Sequence, residues 1–194
     1  MPIIQQGTQF LFVRMNLDPV DIPGLLAAHR NKWGPPERLE AEGARLTEMG
    51  FPDAAAGEFA IQVVKWGKGY RFVDRFRQKN SDQKIAAALR RAADLANNGK
   101  PTLAVSHVQQ LEQLGQSFAS KLVRFICPTR AVVLDDVIRS SLGYRNSPEG
   151  YAEFLQDCQF VLNNALTHLP NLRVCDVEAA IFAKLQGYRA PQET

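Results

Sequence analysis

Residues 111–142 read LEQLGQSFASKLVRFICPTRAVVLDDVIRSSL. A helix or helix pair over Val105–Leu114 ends at Gly115, and a second helical pattern, Ser117–Phe125, begins almost without a gap. Pro128 stops it. The apolar run Ala131–Leu134 then leads into Asp135 and Asp136, which open a helix of about two turns over Val137–Leu142, closed by Gly143. A glycine turn joining two helices, followed by a carboxylate at the start of a third, sets the frame for the rest of the chain.

Outward from this stretch the pattern stays helical. Pro19–Asn31 carries Val20, Ile22, Leu25 and Leu26 at helical spacing, and Glu37–Met49 reads as a second helix closed by Gly50. Asp53 is placed as N-cap of a helix to about Trp66, stopped by Gly67 and Gly69. Ser81 caps a helix that Asn97-Asn98-Gly99 ends; Ser147-Pro148 opens a long helix to about Thr167; Asp176 is placed as cap of the last, which ends at Gly187. Thr8–Met15 is the one β-like run. Eight to ten helices with short loops give an all-α expectation.

Composition agrees with a globular protein: of 194 residues, 45% are hydrophobic and 22% charged. The longest apolar runs are far short of the ~20 residues that span a bilayer. The first residues lack a basic segment followed by an apolar one, so no secretory signal is expected. Cys127, Cys158 and Cys175 are an odd number with no CxxC, which argues against a disulfide framework, a zinc finger or a four-cysteine cluster. His29, His107 and His168 show no ligand spacing, so no metal site is expected. A reduced cytoplasmic location follows as the expectation.

The net charge of +3 hides a strong asymmetry. Residues 65–91 hold nine basic residues (Lys65, Lys68, Arg71, Arg75, Arg77, Lys79, Lys84, Arg90, Arg91) against Asp74 and Asp82, net +7. Residues 1–64 are net −3 and 92–194 net −1. Trp66, Tyr70, Phe72 and Phe76 interleave with the cations. Basic residues mixed with aromatics mark a polyanion surface; the bland alternative is a solvated helix face.

In this order of elements the chain resembles the helix–hairpin–helix DNA glycosylases, and in particular bacterial proteins like the 8-oxoguanine glycosylases. Their hairpin usually reads L-P-G-V-G-x-x-x-A and precedes an apolar segment and a catalytic Asp. Leu111, Leu114, Gly115 and Ala119 fall on the hairpin, Val132–Asp135 on the apolar-Asp segment, and Arg139 on a basic position after it. The resemblance implies an all-α fold of two helical lobes with a cleft. It is expected as one domain over 1–194: an N-terminal lobe about 1–66, the basic stretch 65–91, the hairpin and catalytic core about 101–145, and helices 148–187 closing the pocket.

The resemblance also implies roles. Asp135 is the expected catalytic carboxylate and Asp136 the alternative; if Asp135 is catalytic, Asp136 is free to cap the helix. DNA contacts fall to Gly115, Gln116, Gln113, Lys121 and Arg139, joined by Lys65, Lys68, Arg71, Arg75 and Arg77 of the basic stretch. Val177–Leu185 resembles the last helix of the 8-oxoguanine glycosylases, with Glu178 and Phe182 on the base-gripping positions at i,i+4. Ser117 and Trp66 complete the expected base pocket.

Three departures matter. Glu112-Gln113 stands where Pro-Gly is usual, which puts a tight left-handed turn in doubt. Ser117 stands where bifunctional members carry a Lys nucleophile, and a serine forms no Schiff base, so base release without strand cleavage is implied; Lys121, one turn on, is the rival amine. Glu178 in place of Gln favours bases offering N–H donors. Expected substrates are double-stranded DNA carrying oxidised guanine or a hypermodified cytosine, in repair or anti-phage defence. No cofactor is expected beyond a structural cation at the hairpin, no membrane partner, and a monomer. The rival readings are a non-catalytic helix–hairpin–helix DNA-binding protein and a small helical interaction protein.

Overall fold

The computed structural model describes residues 3–12 and 14–188. In chain order the elements are β1 (Ile4–Gln6), β2 (Gln9–Phe12), β3 (Met15–Leu17), a 3-10 turn (Pro19–Asp21), α1 (Ile22–Trp33), α2 (Glu37–Glu48), α3 (Asp53–Trp66), α4 (Val73–Lys79), α5 (Asp82–Asn97), α6 (Pro101–Val108), α7 (Gln116–Ile126), α8 (Asp136–Leu142), α9 (Pro148–Ala165) and α10 (Val174–Leu185). The fold is mostly helical, with one small antiparallel sheet in the order β1-β2-β3. No helix among the described residues is long and apolar enough to cross a membrane.

The β-like run Thr8–Met15 resolves into β2 and the start of β3. Their register pairs Phe10 with Leu17 and Phe12 with Met15, and all four side chains are buried. Asn16, between two of them, is exposed: the period-two alternation of a half-buried sheet.

The chain divides into two compact units, one of the residues up to Pro35 with those from Leu134 on, the other of Pro36–Val133. In the second unit α3 packs on α5 and α7, α5 on α6, and α2 on α3 and α7. Phe59, Val63, Phe76, Leu89, Leu122 and Phe125 make its core. Gly43 lets α2 approach α7 closely, because a Cβ there would strike the Phe125 carbonyl oxygen. Arg124 forms a 2.7 Å ion pair with Glu40 across the same contact, at 5% and 12% side-chain exposure. Removing one partner of so buried a pair strands the other charge.

In the first unit α10 packs against α1, α8 and α9. Tyr151, Phe154, Val161 and Ile181 are fully buried. The Tyr144 hydroxyl donates to Asp157 Oδ2 at 2.6 Å, tying the segment after α8 to α9. Burial pushes the Asp157 carboxyl above its ordinary range, against the hydrogen bond from Tyr144, and burial and Asp157 push the tyrosine up.

Ser81 and Ser147 cap α5 and α9, accepting from Lys84 N–H and Gly150 N–H. Three expected caps move. Pro52 is the N-cap of α3, with Asp53 its first residue. In α10, Arg173 is the N-cap, and Asp176 sits in the first turn and accepts from Arg173 N–H at 2.9 Å. The third lies at α8 and bears on the site. α4 has only Val73 and Phe76 buried, too weak a period to read inside the basic stretch.

Candidate functional site

The hairpin lies in the unit of Pro36–Val133. After α6, Leu111 N–H donates to the Val108 carbonyl and Leu114 N–H to that of Leu111, with both leucines buried. Gln113 takes φ = 70°, so the left-handed step survives without its glycine. The compensation comes from Asn80, at the C-terminal end of α4 and 1% exposed. Its Nδ2 donates to the carbonyls of Phe76 (2.8 Å) and Glu112 (3.0 Å), and its Oδ1 accepts from Glu112 N–H at 3.0 Å. Nothing in the local sequence of the hairpin points to this residue.

Gly115 then caps α7 with φ = −78°, ψ = 172°, a conformation open to any residue. A Cβ there would meet nothing within 4 Å. Neither backbone nor packing needs this glycine, and the first N–H groups of a helix lack i−4 acceptors, although Phe118 N–H donates to the Gly115 carbonyl at 3.1 Å. The bare backbone leaves room for an outside group to approach, which is how helix N-termini receive phosphates.

Behind it, Ser117 is half-buried and Gln116 buried, whereas Gln113 is exposed. Lys121 is 5% exposed. Its Nζ donates to Ser117 Oγ at 2.9 Å and stands 5.1 Å from the centre of the Phe118 ring. The lysine amine is thus turned back onto the serine rather than out to solvent. Trp66 packs edge-on against Phe125, ring centres 4.8 Å apart.

Gly67 and Gly69 do not supply the left-handed residue that ends α3. That residue is Lys68, φ = 62°, between them. The glycines are needed for space: a Cβ on Gly67 would come within 2.8 Å of the Phe118 ring and 2.9 Å of Lys121 Cδ, and one on Gly69 within 2.7 Å of Val64 Cγ1. All nine cations of the 65–91 segment are exposed. Among them, Arg90 donates to the Gly50 carbonyl at 2.9 Å, and Lys84 lies 3.6 Å from the Glu112 carboxylate.

The carboxylates lie in the other unit. Ala131–Leu134 is buried as expected. Asp135, not Asp136, caps α8: its Oδ1 accepts from Val137 and Ile138 N–H, each at 3.1 Å. Asp136 is the first helical residue, 83% exposed in its side chain and 3.0 Å from Arg139. Arg139 is therefore ion-paired to the outer carboxylate.

α8 packs on α10, where Glu178 and Phe182 are both buried on one face. The Phe182 ring meets Trp33 at 5.6 Å and His29 at 5.9 Å, both edge-on, and Tyr188 at 6.2 Å. Trp33 Nε1 donates to the Tyr188 hydroxyl at 3.2 Å, and His29 stacks parallel to Trp33. Sequence reasoning missed Trp33, His29 and Tyr188, because their association depends on α1 packing against α10. Glu178 also faces α9: its charge adds to the burial that holds the Cys158 thiol well above its ordinary value.

The model of the family described as "Putative 8-oxoguanine DNA glycosylase OGG-like protein" matches residues 42–182, more than two thirds of the chain. The chain belongs to this family. The match runs from α2 through Phe182 and so takes in the hairpin, Asp135 and Glu178. As an OGG-like glycosylase family member it acts on DNA. No curated protein and no solved structure gives a significant match.

The Leu111 and Glu112 carbonyls already accept from Leu114 N–H and Asn80. Among the described residues no group of three His, Cys, Asp or Glu side chains is placed to hold a metal.

Proposed function

We propose that this OGG-like protein is a monofunctional DNA N-glycosylase that extrudes one modified nucleotide and hydrolyses its glycosidic bond, leaving an abasic site. The observation that carries the reading is Asp135. Two helix N–H groups fix its Oδ1, so the carboxylate has one orientation before substrate arrives. An ionised carboxylate held this way stabilises the oxocarbenium-like sugar that forms as the base departs, and orients the attacking water. Asp136, exposed and paired with Arg139, is the poorer candidate.

The remaining parts fit the same reaction. The Gly115 hairpin and the basic segment 65–91 grip phosphates. Glu178 accepts hydrogen bonds from the N–H edge of the extruded base, and Phe182 with its aromatic neighbours supplies apolar contact. A carboxylate acceptor suits a guanine N1–H/N2–H edge or a cytosine N4 amine, so oxidised guanine and hypermodified cytosine are the substrate classes. Excision of the second from viral DNA would serve anti-phage defence. Ser117 forms no Schiff base, and Lys121, donating to its hydroxyl, is held as a hydrogen-bond donor.

The test is single-turnover base release from duplexes carrying 8-oxoguanine or hypermodified cytosine, scored by alkali cleavage of the abasic product. Asp135→Asn should lose release by about a thousandfold or more and keep duplex affinity, since Asn still caps a helix. Normal release by that variant overturns the assignment. A borohydride-trapped covalent complex that disappears in Lys121→Gln overturns the monofunctional mode.

A further inference from the structure

We propose that a groove in the first unit, between α1 and the connection from α9 to α10, is a docking site for an extended segment of a partner protein, one that brings aliphatic side chains and a carboxylate. The proposal is independent of the glycosylase reading, since the groove shares no residue with the hairpin, the Asp135–Asp136 pair or the base grip.

The groove is built from two adjoining hollows. The first, a cavity of about 430 Å³, is lined by Ile22 and Leu26 of α1 and by Leu169 and Leu172 of the connection. The second, about 540 Å³, shares Pro23, His168 and Leu169 with it and runs on to Pro19 and Val20. Val20 is 78% exposed, the most of any large apolar side chain among the described residues. The rims are held in place by the chain itself. Leu172 N–H donates to the Leu169 carbonyl and Leu169 N–H to that of Ala165, each at 3.0 Å. Val20 N–H donates to Asp18 Oδ1 at 3.1 Å, and the rings of Pro19 and Pro23 fix their own φ. A preformed groove loses little freedom when a ligand enters it.

The charges at the first hollow select the occupant. Arg30, His168 and Arg173 line it against one carboxylate, Asp176. Asp176 orients the Arg173 fork, whose Nε donates to Oδ2 at 2.9 Å and Nη2 to Oδ1 at 2.8 Å. That pair is neutral as a whole, so Arg30 makes the hollow positive, and more so when His168 is protonated. Guanidinium groups recognise carboxylates and phosphates alike, and the rest of the lining decides between them. It is aliphatic, with no Phe, Tyr or Trp in either hollow on which a nucleobase could stack. Aliphatic side chains beside a carboxylate are what an extended protein segment offers.

The test follows the amide NMR signals of the full chain during titration with N-acetyl-leucine, which joins one aliphatic side chain to one carboxylate. Signals of residues 168–176 and of the start of α1 should move, with an affinity of about millimolar for so small a ligand. N-acetyl-leucinamide, which lacks the charge, should bind at least about fivefold more weakly, and Arg30→Gln should bring the two ligands level. The peptide Leu-Glu-Leu-Glu-Leu with a free terminal carboxylate should bind about tenfold more tightly than N-acetyl-leucine, through the second hollow. Val20→Glu should remove that gain and leave N-acetyl-leucine binding as it was. Both replaced residues are exposed, so melting temperatures should match wild type. Unmoved signals with N-acetyl-leucine overturn the proposal, and so does equal binding of the amide. Inorganic phosphate moving the same signals at equal concentration assigns the hollow to a phosphate ligand, and movement on raising the protein concentration assigns the groove to a second copy of the chain; either result overturns the proposal.

Discussion

Replacing Asn80 by alanine should damage DNA binding through a residue whose own part is to hold the hairpin. Its side chain makes two hydrogen bonds to Glu112 and one to Phe76 while itself 1% exposed. Each such bond contributes about 0.5–1.5 kcal/mol net, and a buried group left unsatisfied costs up to about 3. The Glu112 carbonyl and N–H sit near solvent and recover part of the loss from water. The expected cost is then about 2–3 kcal/mol, or about 5–10 °C in melting temperature for a chain of this size. The second effect is on the ligand. Without Asn80 the left-handed step at Gln113 loses its clamp, and the backbone N–H groups after it lose their fixed direction. Duplex affinity should fall about tenfold at a temperature where the variant is folded. The salt dependence should keep its slope, because a backbone grip releases no more counterions when weakened. The assays are thermal melting and duplex titration at three salt concentrations. A melting temperature within about 1 °C of wild type together with unchanged affinity refutes the clamp. A loss of affinity accompanied by a shallower salt slope would mean that the cations, not the hairpin, had moved.

Gly115→Asp should separate fold from binding: Asp is a favoured N-cap, so melting is unchanged or slightly raised, while its carboxylate repels phosphate and duplex affinity falls at least tenfold in titration. Asp157→Asn probes the raised carboxyl beside Tyr144. A raised folded value means that the protonated form stabilises the fold, fully so below the ordinary value of about 4, with the benefit lost as pH rises through the folded value. The asparagine still accepts from the tyrosine, so the variant should melt above wild type at neutral pH, and melting curves across pH should show the gap closing near pH 4. The three thiols should resist Ellman's reagent at pH 8 until the protein is denatured, since all are buried and burial pushes Cys127 up to about 11; one thiol reacting at native rates would contradict that burial.

What the sequence disclosed and what it hid divide along physical lines. Helix periods and serine caps are local, and Ser81 and Ser147 cap where their spacing placed them. The apolar run into Asp135 is local too. The cap of α8 lay between Asp135 and Asp136, adjacent carboxylates that only the backbone distinguishes, and in α10 Asp176 reads as a cap although it stands three residues after the N-cap Arg173. The glycines at 67 and 69 invited a reading by torsion when their reason is steric, set by Phe118 and Lys121 far along the chain. Asn80 and the cluster of Trp33, His29 and Tyr188 act across long separations with no motif to announce them.

The separation into two compact units bears on how these parts fail. The hairpin, its Asn80 clamp and the basic segment share the unit of Pro36–Val133, and Asp135, Glu178 and Phe182 share the other. Each group is oriented by hydrogen bonds and packing internal to its own unit: Asn80 and Phe118 in one, the α8 N–H groups and α1 in the other. Substitutions with no common partner add in free energy. Asn80→Ala and Asp135→Asn should therefore combine additively, one lowering affinity and the other the rate of the bound complex. A double variant that departs from additivity by more than about 0.5 kcal/mol would show that grip and chemistry are coupled, through a rearrangement on binding that neither unit contains by itself.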